Sequence, residues 1–439
     1  MAKRYAWIVI SLCFALLAGC RKNVDESPPS IVIQSPAAGS WHQVLETVDV
    51  IATAQDEEGI EWVKVDIVTA SNVIHGSTSN QFFDGQQQAS VNAGVLLDNI
   101  HTPTGTYYVR VRAYDGTNEH VAYREIQLAE VPREVEDVFV FSMSAQNQVD
   151  IHRLEDGSAL WIATIGTDFS KAATNSYNGE VALCGDIVSG TMFLNPPQLE
   201  ITATNATINN QNASYYHDFF YAENDRLYYA VTRDNRVEIY STGGNLNQIL
   251  NTQQNKVPYH LATDGNLLLA EERSFNGDNV FLGQYYRGSG TFQLSVSIPY
   301  PLVAMHIGTS GIDLFGKDGT SYRYATYHPD DQSLTSWTEL SVTGNVEEII
   351  PAGLTADEGQ RYAITTSTET RVVKADNGSL ANLTLFPVAG KALAYDEVNN
   401  ELWVLGSGEV TQFQIDNATP VETISVPSGS LDIEVLYNK

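Results

Sequence analysis

Between Lys171 and the C-terminus one unit recurs seven times, and a polar residue marks each start: Lys171, His217, His260, His306, Glu348, Lys391 and Asp432. The intervals are 46, 43, 46, 42, 43 and 41 residues, close to the ~40–45 residues of a four-stranded propeller blade. Within a unit, short runs rich in β-branched and aromatic residues alternate with turn residues. Residues 217–250 show the scheme, with turns at Glu223-Asn224-Asp225-Arg226, Asp234-Asn235 and Gly243-Gly244. Such spacing predicts strands, and no stretch keeps the i, i+3, i+4 pattern that a helix needs.

The last unit supplies one strand, Leu431 to Tyr437, before the chain ends. At the other end, Val138–Ser142, Val149–Leu154 and Ala159–Ile165 are three strands without a first partner. Joined, they make one more blade, and the C-terminal strand then closes a ring and removes its open edges. The expected architecture over 135–439 is a seven-bladed β-propeller, with the other blades near 166–203, 212–251, 256–299, 301–343, 345–387 and 388–427. The stretch 201–214 leaves six or eight blades open.

Residues 31–131 have another rhythm. Candidate strands at 31–33, 48–54, 62–68, 91–97, 107–114 and 122–128 are separated by Pro36-Ala37-Ala38-Gly39, Asp56-Glu57-Glu58-Gly59 and Asp115-Gly116-Thr117-Asn118. Tyr107, Val109, Val111 and Ala113 alternate with Tyr108, Arg110, Arg112 and Tyr114, so one face packs and the other is wet. The segment resembles bacterial Ig-like and fibronectin-like modules, without their cysteine pair, and the resemblance implies a β-sandwich. The chain is therefore expected to be all-β.

At the N-terminus, Lys3 and Arg4 precede an apolar run from Tyr5 to Leu17, which ends in Leu17-Ala18-Gly19-Cys20. Such a run is too short to span a bilayer as a helix. It resembles a lipoprotein signal peptide over 1–19, which implies cleavage before Cys20 and a diacylglycerol on its thiol. Residues 20–30 then read as a lipidated flexible tether. Arg21 stands where an aspartate would resemble an inner-membrane retention signal, so the outer membrane is the expected location, facing the periplasm or the cell surface.

The whole chain carries a formal charge of −29; losing Lys3 and Arg4 with the leader leaves 22 basic against 53 acidic residues, a net −31. That field argues against nucleic acid and anionic lipid headgroups as partners. Of three cysteines, Cys13 leaves with the leader and Cys20 is lipidated, so Cys184, in the apolar run Val181-Ala182-Leu183-Cys184, is a lone core residue with no disulfide available.

No Gly-x-Ser-x-Gly, His-Glu-x-x-His, phosphate-binding loop or dinucleotide fingerprint occurs. The repeat itself gives the candidate site. The marked residues precede the innermost strands, so ring closure would gather them at one channel mouth. His217, His260 and His306 would be metal ligands on successive blades, since imidazole suits a divalent transition metal. Lys171, Asp218, Glu348, Lys391 and Asp432 would line the same mouth as binding residues. A wet mouth also tolerates polar residues of any kind, and a polar rim is the simpler reading. His152 and His328 fall outside the register and are expected at the surface. The tyrosines Tyr215, Tyr216, Tyr221, Tyr259, Tyr285, Tyr286, Tyr300, Tyr322, Tyr324 and Tyr327 serve either as strand residues or as stacking surfaces for sugars and proteins.

The layout resembles outer-membrane and surface lipoproteins of Bacteroidota-like bacteria that join an Ig-like module to a propeller of the YVTN or NHL type. The resemblance implies a lipid-anchored, non-enzymatic binding or scaffold protein, monomeric or within an envelope complex, that engages an extracellular or periplasmic protein or glycan. The second reading is a metal-dependent polysaccharide lyase or hydrolase built on the three histidines; carotenoid oxygenases and oligogalacturonate lyases place histidines on a propeller axis, but this chain shares none of their motifs.

Overall fold

A computed structural model describes residues 27–186, 190–206, 214–277 and 279–439. The expected leader, Cys20, Arg21 and part of the 201–214 stretch lie outside them. Apart from one short 3-10 turn at Thr242–Gly244, the regular secondary structure of the described residues is all strand. They contain no helix long and apolar enough to cross a membrane. Contacts divide the chain into two units, 1–132 and 133–439.

The first unit contains β1 (Ser30–Ser35), β2 (Ser40–Gln43), β3 (Thr47–Val68), β4 (Ile74–Leu96), β5 (Gly105–Tyr114) and β6 (Glu119–Ala129). Hydrogen bonding runs β1-β3-β5-β6-β2, and β4 pairs with the other side of β3. Two expected strands, 48–54 and 62–68, are here a single strand. Asp56-Glu57-Glu58-Gly59 does not reverse the chain; it is a bulge, where the register with β4 shifts between Gln55 and Ile60. Gly59 has φ +102°, and a Cβ there would lie 2.1 Å from the Gly85 carbonyl oxygen, so the bend admits only glycine. Alternation then buries Val48, Val50, Ala52, Val63, Val65 and Ile67 against Val109, Val111 and Ala113. Asp66, fully buried on the other face, takes a two-point ion pair from Arg110 at 2.7 and 2.8 Å.

The second unit is a β-propeller. Among the described residues it has seven sheets: blade I (171–205), II (216–251), III (256–298), IV (302–340), V (346–386), VI (392–425), and VII, made of 430–437 with 135–165. Six have four strands, and blade IV has a fifth short one. In blade VII the C-terminal strand Ser430–Tyr437 pairs with Val135–Ala145, and it also packs against the inner strands of blades VI and I. The ring closes through the two ends of the unit. Between blades lie apolar layers, such as Phe139, Phe141, Ile151, Val181, Leu183 and Leu194 at the VII–I junction.

Tyrosines do much of the packing between sheets. Tyr215, Tyr216, Tyr285, Tyr322, Tyr324 and Tyr327 are buried, and Tyr286 stands out at 52 % exposed. Burial of a phenol requires a partner. Asp313, buried, accepts from Tyr324 at 2.7 Å, from Tyr362 at 2.7 Å and from Thr326 at 3.0 Å; Glu238 accepts from Tyr240 at 2.6 Å, and Glu272 from Tyr285. These tyrosines are structural. His152, expected at the surface, is buried, and His328 is held by the Ser310 carbonyl and Asn377 at 2.8 and 3.0 Å. Cys184 is fully buried, and burial raises its thiol pKa.

Removing 431–439 would take Ile433, Val435 and Leu436 out of the junctions they fill. At roughly 1.5–3 kcal/mol for each such side chain, the loss is comparable with the whole net stability of about 5–15 kcal/mol. A chain stopped after Ser430 is expected to lose its cooperative thermal transition and to be cut by protease within 135–165; a melt like that of the intact chain would contradict the closure.

Candidate functional site

The innermost strands surround a channel of about 940 Å³, lined by Lys171, Asp218, His260, His306, Glu348, Lys391, Asp432 and Glu434 among others. Small irregularities decide which side chains reach it. In blades II, IV, V and VII the register with the second strand skips one residue: between Tyr216 and Asp218, Leu302 and Ala304, Val346 and Glu348, Ser430 and Asp432. The skipped residues are His217, Val303, Glu347 and Leu431. A bulge turns the residue that follows it to the other face. Asp218, Glu348 and Asp432 are thus equivalent positions on three blades, and His306 corresponds to Glu434, each two residues further along its strand.

That geometry corrects the three-histidine expectation. His217 sits in a bulge and does not line the channel. Its Nδ1–H donates to the Pro258 carbonyl of blade III at 2.7 Å, and its ring lies on Tyr259 with centroids 4.1 Å apart. Tyr259 in turn carries Arg273 on its other side, 3.8 Å from the ring centroid. His306 lines the channel, but its Nε2–H donates to the Ile349 carbonyl of blade V at 2.9 Å. His260 lies between Asp218 Oδ2 at 3.7 Å and Glu271 Oε2 at 3.9 Å, beyond hydrogen-bond range of both. Among the described residues, no three His, Cys, Asp or Glu side chains converge as a metal site. The three histidines do not fit a metal.

The other expected channel residues are brought together, and most reach a neighbouring blade. Lys171 of blade I donates to Asp218 Oδ1 of blade II at 2.9 Å. Glu348 of blade V accepts the Leu393 N–H of blade VI at 2.6 Å. Asp432 of blade VII accepts the Ala172 N–H of blade I at 3.1 Å. Lys391 is exposed at the wall. Two residues that sequence reasoning missed belong to the set. Glu434 accepts from Thr174 at 3.3 Å; its signal was the i, i+2 spacing from Asp432 on one strand face. Glu271, fully buried on a second strand, accepts the Leu302 N–H of blade IV at 3.0 Å and Arg273 Nε at 2.7 Å.

Charge in this enclosed space is unevenly tolerated. Burial would push Asp218 up, but the Lys171 ammonium, with the His260 ring nearby, holds it well below the usual carboxylate range. Asp218, in turn, raises Lys171. Lys171 still leaves 44 % of its side chain open to the channel, so water screens that pair and its contribution is small. Glu348 is pushed up to about 8 by burial and by the Asp432 charge. Asp432 rises to about 6 through burial, and Glu434 rises well above its ordinary value through burial and then its two acidic neighbours. Burial lowers His306 to about 4, which keeps it neutral. What results is a polar, walled cavity with one ion pair and several carboxyls whose charged form burial disfavours, and among the described residues no nucleophile is paired with a base.

No family model matches the chain, and no curated protein matches it. Among solved structures, a functionally unknown protein from Desulfotomaculum acetoxidans matches at 12 % identity and a TM-score of 0.48, over 68 % of this chain and 98 % of its own. A quinoprotein alcohol dehydrogenase-like protein from Bacteroides thetaiotaomicron matches at 10 % identity and a TM-score of 0.44, over 94 % and 99 %. The Dos1 propeller matches at 13 % and 0.41, over 59 % and 73 %. Scores this low carry no argument about activity, and the propeller assignment rests on the seven sheets themselves.

A carboxyl whose pKa is higher folded than unfolded stabilises the fold fully below its unfolded value, and that stabilisation is lost as pH rises through the folded one. For Glu348 the window runs from 4.5 to about 8, and for Asp432 from 3.8 to about 6. The melting temperature is expected to fall as pH rises from about 5 to 8. Glu348→Gln should flatten that slope and be the more stable chain at pH 8; an unchanged slope in the variant would refute the assignment.

Proposed function

We propose that this chain is a lipid-anchored, exported binding protein of the bacterial outer membrane, in which an Ig-like module is joined to a propeller that engages a protein or glycan. One observation carries the non-enzymatic reading: the titratable groups of the channel mostly hold the backbone or side chains of the next blade, and among the described residues none stands as an activated nucleophile or open metal site. Groups fixed in this way position a rim and a wall. A walled polar cavity with a free cation at its edge, Lys391, suits recognition of a polar ligand.

The Ig-like reading of the first unit draws on strands that bend at a bulge and bury alternate residues, as sandwich strands do. The anchor reading draws on the basic, apolar and Leu17-Ala18-Gly19-Cys20 order of the leader. A strongly acidic chain needs an attachment other than charge to stay at an anionic membrane.

Cells fed an alkyne fatty acid are expected to label the intact chain, and Cys20→Ala should abolish both the label and sedimentation with membranes. Protease added to whole cells should cut the chain without lysis. Tag-free protein should carry only a trace of transition metal, unchanged by His260→Ala. Stoichiometric metal lost in that variant would overturn the binding reading in favour of a metal-dependent enzyme.

A further inference from the structure

The channel has two ends, and they are built differently. The innermost strands start at the mouth where Lys171, Lys391 and Leu431 stand, and the cavity reaches from there to Ala222 and Glu223 at the other. At that second end lies Arg133, the first residue of the propeller unit. Its Nη1 donates to Glu223 Oε1 at 2.9 Å and also stands 2.9 Å from Glu397 Oε1. Its guanidinium lies over the Tyr437 ring, 4.3 Å from the centroid. Glu223 directly follows the inner strand of blade II, Glu397 follows that of blade VI, and Tyr437 ends that of blade VII.

Blades II and VI are three steps apart one way round a ring of seven sheets and four the other. No two blades of such a ring lie further apart, so a single nitrogen that meets a carboxylate from each of them lies across the axis. The arm is tied down at its root as well: Glu134 donates its N–H to Asn438 Oδ1 at 3.0 Å and accepts the Asn438 N–H at 3.1 Å. Stability does not explain the arrangement. Ion pairs to carboxylates as open as Glu223 and Glu397, 57 % and 47 % exposed, contribute little. Gathering both on one cation also sets like charges together: burial raises Glu397, and Glu223 adds to the rise against the pull of Arg133.

We infer that Arg133 is a bolt that shuts this end of the channel, so that the ligand-binding face of the propeller is the opposite mouth, ringed by Lys171, Lys391 and Asp432. The inference takes from the proposed function only that the channel receives a ligand; the bolt itself stands on the geometry of the ring. A channel closed at one end is a pocket. It admits a small polar molecule or the end of a longer one past the exposed Lys391, and it excludes threading of a polymer from mouth to mouth. Because ion pairs hold the bolt, salt weakens it.

Thiol labelling of the full chain in detergent with a bulky dye maleimide tests this. Thr174 lines the channel next to the last residue of the blade I inner strand, so Thr174→Cys places a thiol near the bolt. Lys391→Cys places one at the open mouth, and buried Cys184 reports on the fold. Arg133→Ala should speed labelling of Thr174→Cys roughly tenfold. Glu397→Gln, which keeps the shape and cuts one ion pair, should speed it less, and about 1 M salt should speed it only where Arg133 is present. Lys391→Cys should react at one rate in every background. Equal rates at Thr174→Cys with and without Arg133, or an equal rise at Lys391→Cys, would overturn the bolt. If Arg133→Ala exposes Cys184, the ring has loosened and Glu397→Gln decides instead: an unchanged rate there refutes the bolt. A channel that takes no ligand would leave all these rates as they are, so the two readings fail separately.

Discussion

Everything in the propeller depends on the junction between one blade and the next, and each of the seven junctions is bridged by side chains from the inner half of a blade. Lys171 to Asp218 joins I to II, His217 to the Pro258 carbonyl joins II to III, and Glu271 to the Leu302 N–H joins III to IV. His306 to the Ile349 carbonyl joins IV to V, and Glu348 to the Leu393 N–H joins V to VI. The Glu397 N–H to the Tyr437 hydroxyl joins VI to VII, and Asp432 to the Ala172 N–H joins VII to I. The inner strand of a blade has one free edge toward the axis, and its backbone groups must find partners there or in water. Side chains from an adjacent blade, usually the preceding one, meet that need. They also fix the angle between sheets, which apolar layers alone leave adjustable. A ring with no disulfide is specified by these contacts together with its shared blade.

Seen this way, the chemical variety of the seven marked residues is unsurprising. A lysine, histidine, glutamate or aspartate can each bridge to a neighbour, provided the partner is a carbonyl, an N–H or a carboxylate as required. Conserving a role in this geometry does not require one residue type. The same argument limits what the channel can do: a carboxylate that accepts a backbone N–H and an imidazole that donates to a carbonyl are committed to the fold.

The repeat period was legible because blade length is set by strand and turn lengths, which leave regular turn signals. Strand-level register was not. His217 and Asp218 are adjacent, and a one-residue bulge between Tyr216 and Asp218 decides which faces the axis. No residue type announces that bulge, since neither glycine nor proline stands there. For the same reason His306 and Glu348 looked equivalent although they lie two positions apart in their strands. Glu271 was hidden because it comes from a second strand, and the repeat marks only first strands. In the first unit, Asp56-Glu57-Glu58-Gly59 has the composition of a turn, and only the close approach of Gly59 to Gly85 tells a bend from a reversal.

The two units divide their polar and aromatic residues in opposite ways, and this bears on where recognition takes place. In the propeller, most tyrosines are drawn inward, and Asp313 takes the hydroxyls of Tyr324 and Tyr362; those rings are then lost to any ligand. In the first unit, the buried layer is mostly aliphatic, built on Val48, Val65, Val109 and Val111, and the buried Asp66 carboxylate on the other face is paired with Arg110. Of the aromatic residues on β3, β4 and β5, Tyr107 joins this layer, while Trp62 and Tyr114 stack on each other across strands on the opposite face and Phe82 is exposed. The channel of the propeller is lined with groups already engaged, so a ligand there is recognised by what they leave open, above all Lys391 at the edge.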